Sequence, residues 1–382
     1  MKKANFDRTI NRRKLIKMII VSLIILILII VGIIYEKNYD FRNFLDKYIF
    51  LKEKHENNLP KIPITSSKGL NIYSYKGKIL ILENNLLTAY NSNGNEEYKL
   101  DIEISNPIFR ASGNYLCIGE KNGQKIYVIS DKNILWQKDL EGSISDITIN
   151  SNGYLAVATT GAIYKTIVQT FDNNGEEQFN TYVSSTYVID MSISPDNKYF
   201  AIAETNFSGI IIQSNIKIIS IERAKKGDKD SIIYTHSNTQ GDLIINIKYQ
   251  TKNELTCVYD NHVEVIKDGV NTNISDFSKE EILFVELNNK IIKIIKLNSK
   301  VYLQVMDNSG LNSSKEYEIL EPKEILTSDD VVAINLGSEV LFYNNSGWLI
   351  KRYYANQEIN KIILSDNLAG IVYNDKIELV SL

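Results

Sequence analysis

The chain has 382 residues, of which 44% are hydrophobic and 23% are charged, which is the composition of a folded protein rather than a disordered one. Its formal net charge is −3, but residues 1–17 carry seven of the 43 basic residues and one of the 46 acidic ones, so the remainder has 36 basic and 45 acidic residues. An acidic remainder argues against nucleic-acid binding, which needs a basic face, and two cysteines exclude a disulfide scaffold or a cysteine-based zinc site.

An uncharged apolar run from Met18 to Tyr35 follows the basic tail. As an α-helix it would extend for about 27 Å, which matches the hydrocarbon core of a bilayer. The run is longer than the core of a usual signal peptide and no A-x-A cleavage site follows it, so an uncleaved signal anchor is favoured over a cleaved signal peptide. The positive-inside rule places residues 1–17 in the cytoplasm and the rest of the chain outside the cell membrane.

Residues 36–61 are predicted to form a partly helical stalk next to the membrane. Apolar residues recur there at helical spacing, at Phe41, Phe44, Leu45, Tyr48 and Leu51. The stalk either packs on the domain or the membrane surface, or forms a dimerisation seam; the first is favoured because a coiled coil needs sustained heptads. Pro60 and Pro63 end the helix because each proline removes a backbone donor.

From residue 62 the pattern is all-β, with short runs of Ile, Val, Tyr and Leu between Asn, Asp, Gly and Ser turns. One turn type places Gly four residues after an apolar strand end, at residues 90–94, 171–175, 306–310 and 343–347, and Asn133 replaces Gly in residues 129–133. These are hairpin turns, since Gly and Asn tolerate positive φ. A second type leads into a strand, at residues 112–116, 151–155, 194–200, 328–331 and 365–368.

The turns divide the chain into units of four strands. The units begin near Leu70, Pro107, Ile147, Val188, Leu243, Ile282, Glu324 and Ile359. A period of roughly 40 residues with four strands is the signature of β-propeller blades. The last unit has three strands before the chain ends, and residues 62–66 supply its fourth, outermost strand, where Pro63 is acceptable. We therefore predict a single propeller of eight blades over residues 62–382, with seven as the alternative if the unit at 243–278 is misread.

Two repeat units carry a family resemblance. Residues 194–201 (SPDNKYFA) resemble the strand opening of WD-repeat-like propellers, and residues 127–136 (YVISDKNILW) are similar to the PQQ-like repeat. The whole layout resembles a family of Firmicutes membrane proteins, the domain of unknown function 5711. This resemblance implies the fold but no defined activity. Quinone cofactors are not expected, because the chain lacks a vicinal Cys pair and has only Trp136 and Trp348.

The sequence contains no recognisable catalytic or metal-binding motif. The histidines His55, His236 and His262 are dispersed, and we interpret them as turn or surface residues. Cys117 and Cys257 fall in the second strands of units two and five, too far apart for a disulfide. No catalytic residue, metal or cofactor is therefore predicted.

One region departs from the repeat. The fourth unit is the longest, with insertions at residues 205–214 and 224–230. The first insertion is expected on the same rim as the preceding link between units, so Tyr182, Tyr187, Phe207 and Ile210 are predicted to form an exposed apolar patch that binds a partner. In the alternative interpretation, residues 210–212 extend a strand or plug the central funnel.

Together these features favour a membrane-anchored, extracytoplasmic propeller that acts as a non-catalytic interaction or envelope scaffold module. Its partner would be another envelope protein or a cell-wall polymer. The alternative is a protein that binds carbohydrate or a small ligand, or an enzyme, with a site at the propeller funnel. A sensor would have to signal through a partner, because the 17-residue tail contains no signalling domain.

Overall fold

A computed structural model describes residues 12–37, 41, 45, 59–238, 240–298, 300–317, 322–328, 330–365 and 367–382. Helix α1 spans Arg12–Lys37 and contains the uncharged run Met18–Tyr35, none of which is buried. Its length and composition suffice to cross a membrane and are shared by membrane anchors and signal sequences. The predicted stalk helix falls outside the described residues, apart from Phe41 and Leu45.

Among the described residues, 32 strands form eight antiparallel sheets of four strands each, which we number as blades 1–8 along the chain. Blade 1 consists of β2 (Asn71–Tyr75), β3 (Lys78–Glu83), β4 (Leu86–Tyr90) and β5 (Glu96–Asp101), and blade 2 of β6 (Pro107–Ser112), β7 (Tyr115–Glu120), β8 (Lys125–Ser130) and β9 (Asn133–Asp139). Blade 3 consists of β10 (Ser143–Ile149), β11 (Leu155–Thr160), β12 (Thr166–Phe171) and β13 (Glu177–Val183), and blade 4 of β14 (Tyr187–Ile193), β15 (Tyr199–Asn206), β16 (Gln213–Ser220) and β17 (Ile232–Asn238). A short helix α2 (Ile221–Lys225) precedes β17.

The second half of the ring repeats the same arrangement. Blade 5 consists of β18 (Ile244–Tyr249), β19 (Glu254–Tyr259), β20 (His262–Lys267) and β21 (Val270–Asp276), and blade 6 of β22 (Glu281–Leu287), β23 (Ile291–Leu297), β24 (Lys300–Asp307) and β25 (Gly310–Tyr317). Blade 7 consists of β26 (Glu324–Thr327), β27 (Val331–Asn335), β28 (Glu339–Asn344) and β29 (Leu349–Tyr354), and blade 8 of β30 (Lys361–Ser365), β31 (Leu368–Val372), β32 (Lys376–Ser381) and the N-terminal β1 (Lys61–Pro63).

The ring closes where the sequence predicts. Strand β1 pairs antiparallel with β32, with Ile62 opposite Ile377, and so becomes the outermost strand of blade 8. Pro63 sits at the free edge, where its missing N–H costs no ladder bond. The eight-bladed β-propeller with N-terminal closure is therefore confirmed, and the seven-bladed alternative is wrong.

The core consists of apolar layers between neighbouring blades. Of the described residues, the buried apolar side chains divide into eight clusters, one for each pair of consecutive blades, including blades 8 and 1. The second strand of a blade is covered on both faces, so residues 116–119 of β7 and 155–159 of β11 are all buried, whereas the outermost β9 alternates between exposed and half-buried residues. This burial of both faces explains why the sequence shows apolar runs rather than strict alternation.

The predicted hairpin turns are present, with one change of detail. Gly94, Gly175 and Gly347 all have positive φ, as the turn requires. In the turn at residues 129–133 the left-handed residue is Asp131, with φ of 55°, while Asn133 begins β9. The predicted substitution of Gly by Asn133 is therefore wrong, because the chain turns two residues earlier.

Seven of the eight predicted units begin within two residues of an observed innermost strand. The exception is the third, predicted at Ile147, because β10 begins at Ser143 and carries a bulge between Ile144 and Asp146. The innermost strands of blades 4, 5 and 6 carry bulges at the same place. The starts of those three blades were predicted, so the bulge alone does not explain the error. In β10 three of the four residues before Ile147 are also polar, Ser143, Ser145 and Asp146, so the first part of this strand lacks an apolar pattern in the sequence.

Candidate functional site

The meander within each blade defines two rims of the propeller. The turns between first and second strands and between third and fourth strands lie on one rim, which we call the proximal rim because the chain enters the propeller there at Lys61. The turns between second and third strands and the links between blades lie on the other, the distal rim. The predicted patch belongs to the distal rim, since it combines the link after β13 with the turn after β15.

The four predicted patch residues are exposed side chains of this distal rim. Tyr182, Tyr187 and Phe207 are exposed to about half of their surface, at 54%, 49% and 50%, and Ile210 is fully exposed. The rings of Tyr187 and Phe207 contact each other, with centroids 6.0 Å apart. The structure therefore brings Tyr187 of β14 and Phe207 of the neighbouring turn together on one surface.

Four further residues, which were not among the predicted ones, extend this surface. Tyr164, in the turn between β11 and β12, packs its ring 4.8 Å from that of Tyr182. The Nζ atom of Lys165 lies 4.3 Å from the centroid of the Tyr187 ring, which links the two aromatic pairs. Ile163 is 87% exposed, and Ile211, next to the predicted Ile210, is 55% exposed. We refer to residues 163–165, 182, 187, 207, 210 and 211 as the distal patch.

The loop that carries Phe207 and Ile210 is short and has a defined start. Strand β15 continues to Asn206 and β16 begins at Gln213, so residues 207–212 form the turn and do not extend either strand. The side chain of Asn206 accepts a hydrogen bond from the Ser208 backbone N–H at 2.9 Å, which fixes the first bend. The alternative in which residues 210–212 extend a strand is therefore wrong.

A buried ion pair supports the patch from below. Glu204 of β15 is 1% exposed and accepts hydrogen bonds from Lys217 Nζ at 2.7 and 2.9 Å. Its Oε2 also accepts a hydrogen bond at 2.7 Å from the hydroxyl of Thr186, in the link immediately before Tyr187. Lys217 and Thr186 thus satisfy both oxygens of the buried Glu204 carboxylate. These bonds hold the link before β14 in a fixed position relative to β15 and β16, the two strands that flank the patch turn.

A second cluster lies between blades 4 and 5 and corrects the interpretation of two histidines as turn or surface residues. His236 is in β17 of blade 4, and His262 is in β20 of blade 5 and is 7% exposed. Their Nε2 atoms lie 3.4 and 3.3 Å from the two carboxylate oxygens of Glu264. His55, the third histidine, lies outside the described residues.

Carboxylates on the innermost strands serve mainly to join neighbouring blades. Asp190 of β14 accepts a hydrogen bond at 2.7 Å from the backbone N–H of Ile247 in blade 5, and Glu324 of β26 accepts one at 2.8 Å from Ile362 in blade 8. Burial raises the pKa of Asp190 to about 7 and also raises the pKa of Glu324, in each case against the opposing effect of the backbone donor. These perturbed groups are thus explained by contacts between blades.

A comparison with protein families identifies the chain. The model of the family of unknown function DUF5711 matches residues 52–382. The chain belongs to this family. No curated protein sequence matches this DUF5711 chain.

Solved structures similar to this DUF5711 protein are β-propellers of other families. The C-terminal WD40 domain of Sif2 has a TM-score of 0.58 and 14% identity, covering 85% of this chain and 99% of that one. BamB from Moraxella catarrhalis has a TM-score of 0.47 and 12% identity, with coverages of 85% and 98%. At these identities the likeness concerns the fold alone, a fold typical of protein-interaction scaffolds.

The described part of this DUF5711 protein contains no group of three His, Cys, Asp or Glu residues placed to hold a metal ion. Cys117 and Cys257 are free and completely buried in blades 2 and 5, and burial raises the pKa of both thiols well above the usual range. A polar cavity of about 390 Å³ opens on the distal rim between the links around blade 1. Charged side chains in its lining, Lys68 and Glu83, are exposed, whereas the apolar Leu82 and Ile104 in the same lining are buried. The distal patch is therefore the surface that most needs a functional explanation.

Proposed function

We propose that this DUF5711 protein is a membrane-anchored β-propeller that binds a protein partner through its distal patch, without catalysis of its own. The observation that carries the proposal is the group of exposed aromatic and aliphatic side chains at Tyr182, Tyr187, Phe207 and Ile210. Monomeric proteins rarely leave a contiguous apolar area of this kind in water, and tyrosines and other aromatic residues dominate the energetics of protein interfaces.

The chemistry of the patch favours a protein with an apolar surface over a polysaccharide. Isoleucine side chains at 163, 210 and 211 offer no hydrogen bonds and gain from contact only with apolar groups. Lys165 contributes one positive charge at the centre of the patch, next to the Tyr187 ring, so a carboxylate of the partner would find a complementary charge. The ion pair beneath the patch, Glu204 with Lys217, keeps the loops ordered before binding, which reduces the entropic cost of association.

In this proposal α1 serves as an uncleaved anchor and the propeller lies outside the cytoplasm, as the basic residues 1–17 favour. The chain enters the propeller at Lys61 on the proximal rim, whereas the distal patch lies on the opposite rim. A partner that approaches from the aqueous side would therefore meet the patch without competing with the point of attachment.

The test is chemical crosslinking followed by affinity purification from native membranes, with the wild type compared with a Tyr187→Ala, Phe207→Ala double variant. Central aromatic residues of an interface typically contribute about 2 kcal/mol or more each, so we expect loss of a reproducible crosslinked protein. Tyr354→Ala with Val270→Ala is the matched control, because these residues are 60% and 64% exposed on other blades. If the double variant retains every partner of the wild type, the distal patch is not the binding surface.

Orientation has its own test. Protease treatment of intact cells should digest the propeller and leave residues 1–17 protected. After the membrane is opened, the same protease should also digest residues 1–17. Protection of residues 36–382 in intact cells would place the propeller in the cytoplasm and refute the extracytoplasmic part of the proposal.

A further inference from the structure

We propose that His236, Glu264 and His262 form a pH-sensitive latch between blades 4 and 5, which closes when His236 is protonated. The proposal goes beyond the proposed function and does not depend on a partner. It rests on one carboxylate that is almost completely buried, at 8% exposure, and is faced by imidazole nitrogens from two blades.

No single neutral tautomer of His236 satisfies both groups that face its Nε2. Its Nε2 lies 3.2 Å from the Nδ2 amide nitrogen of Asn271, which can only donate, and 3.4 Å from Glu264 Oε2, which can only accept. In the neutral ring, Nε2 either accepts from Asn271 and presents its lone pair to Glu264 Oε2, or carries the hydrogen and donates to Glu264 without accepting from Asn271. Protonation places a hydrogen on Nε2 and turns the contact into a charge-assisted hydrogen bond between blades.

His262 is arranged in a related way on the other side of Glu264. Its Nδ1 lies 2.5 Å from Oδ1 of Asn261, an acceptor that fixes a hydrogen on Nδ1. Its ring stacks on that of Tyr259, with centroids 4.3 Å apart. The opposite nitrogen, Nε2, therefore faces Glu264 Oε1 at 3.3 Å within a rigid setting.

The charged and titratable groups around the latch come from five elements. They are Tyr234 and His236 on β17, Cys257 and Tyr259 on β19, His262 and Glu264 on β20, Asp276 on β21 opposite His262, and Asp242 in the link before β18, whose Oδ2 lies 3.9 Å from His262 Nδ1. Strand β21 also contributes the neutral amide of Asn271. Glu264 is thus the only carboxylate in contact with His236 among the described residues.

The backbone supports the arrangement. In the other six blades with a bulge between third and fourth strands, the bulge adjoins the hairpin turn on the proximal rim. In blade 5 the extra residue is Ile274 of β21, opposite Val263 and Glu264 at the distal end, so the bulge bends the strand that carries Asn271. The tight turn at Asp268 and Gly269, both with positive φ, closes that hairpin without a bulge.

The direction of the pH effect follows from the two ionisable partners. The hydrogen bond to Glu264 raises the pKa of His236 above 6.5 despite burial, so its contribution to stability is complete below about pH 6.5 and is lost as the pH rises through the raised value. Burial alone would raise the pKa of Glu264, but the bonds from His236, His262 and Asn271 outweigh it and hold the pKa far below 4.5. The contribution of Glu264 to stability is present above about pH 4.5. The latch is therefore fully closed between about pH 4.5 and pH 6.5, and it opens toward alkaline pH.

The test is an NMR titration of the full chain in detergent, with selectively labelled histidine, since the chain has only three. We expect the His236 midpoint above pH 6.5, and a fall of about one pH unit, a tenfold change in proton affinity, in Glu264→Gln. Glu222→Gln is the control, because Glu222 is an exposed carboxylate paired with Lys226. A wild-type midpoint at or below pH 6.5, or a midpoint that Glu264→Gln leaves unchanged, would overturn the proposal.

A second measurement tests the connection between blades. Hydrogen exchange in β17 and β20, corrected for the intrinsic rate, should be slower at pH 6 than at pH 8 in the wild type, and His236→Gln should abolish the difference. Equal pH dependence in both proteins would show that His236 does not join the blades. If either variant fails to fold, the wild-type midpoint alone still decides the proposal.

Discussion

Ring closure depends on a strand of three residues, and Ile62→Ala removes its one buried side chain. Ile62 is completely buried in the cluster formed with Ile72, Ile79 and Ile377. At about 0.8 kcal/mol per carbon, loss of three carbons removes about 2.4 kcal/mol of transfer free energy, and the residual cavity brings the expected destabilisation to about 3 kcal/mol. With an unfolding entropy of about 2.1 cal/mol/K per residue over roughly 320 residues, Tm should fall by about 4–5 °C.

Calorimetry of the purified full chain in detergent measures this shift, and Lys61→Ala on the same strand is the control. The Lys61 side chain is half exposed, and its partner Glu378 keeps a second cation, Lys376, at 2.8 Å. The control should therefore change the free energy of unfolding by less than about 0.5 kcal/mol. If both variants unfold at the same temperature, β1 does not hold the ring closed and the reasoning fails.

Three other predictions follow from buried contacts. Gly175→Ala should lower the free energy of unfolding in urea by about 2–3 kcal/mol, because Gly175 has φ of +81° and a Cβ there would lie 2.7 Å from Cδ2 of Trp136. Asp190→Asn should flatten the pH dependence of the urea midpoint between about pH 4 and 7: burial raises the pKa of Asp190 to about 7, so its contribution is present below about pH 3.8 and is lost as the pH rises through 7. Cys117 and Cys257 should react with Ellman's reagent only after unfolding, because burial raises the pKa of both thiols.

Each of these predictions has a control that isolates its cause. Gly69 has a similar φ of +78° but open space around it, so Gly69→Ala should lose only about 1 kcal/mol; an equal loss at both glycines would contradict the contact with Trp136. Glu222→Gln should leave the pH slope unchanged, and an Asp190→Asn slope equal to that of the wild type would refute the role of burial. Reaction of either thiol in the native protein at the rate seen in urea would contradict the buried positions of both cysteines.

The blades were predictable because their signals are local. A turn with Gly or an Asx residue occupies about five positions, and the side chain of Asn91, for example, caps its own turn by accepting from the N–H groups of Asn93 and Asn95. The errors arise where local rules have exceptions. The bulge together with the polar residues Ser143, Ser145 and Asp146 hid the first part of β10, and Asp131 has the left-handed conformation predicted for Asn133.

The two candidate sites differ in how far the sequence could reveal them. The distal patch was predicted because residues 205–214 depart from the repeat length, which is visible without knowledge of contacts. The latch was missed because His236 and Glu264 belong to different blades, and their contact depends on how those blades pack. One signal was present: His262 and Glu264 are two apart in a strand, which places both on one face.

Apart from the isolated bridge between Lys121 and Ile144, the described strands pair only within their own blades, so polar side chains largely set how one blade is positioned on the next. Apolar layers provide most of the stability but tolerate sliding, since area burial is non-directional. Specific bonds remove that freedom, as when Trp136 Nε1 donates to the Asn173 carbonyl at 3.1 Å or Asn150 Nδ2 donates to the Ser194 carbonyl at 3.0 Å. Because the distal patch is assembled from blades 3 and 4, its geometry depends on the bonds that fix those two blades, and the latch extends the same control to blade 5.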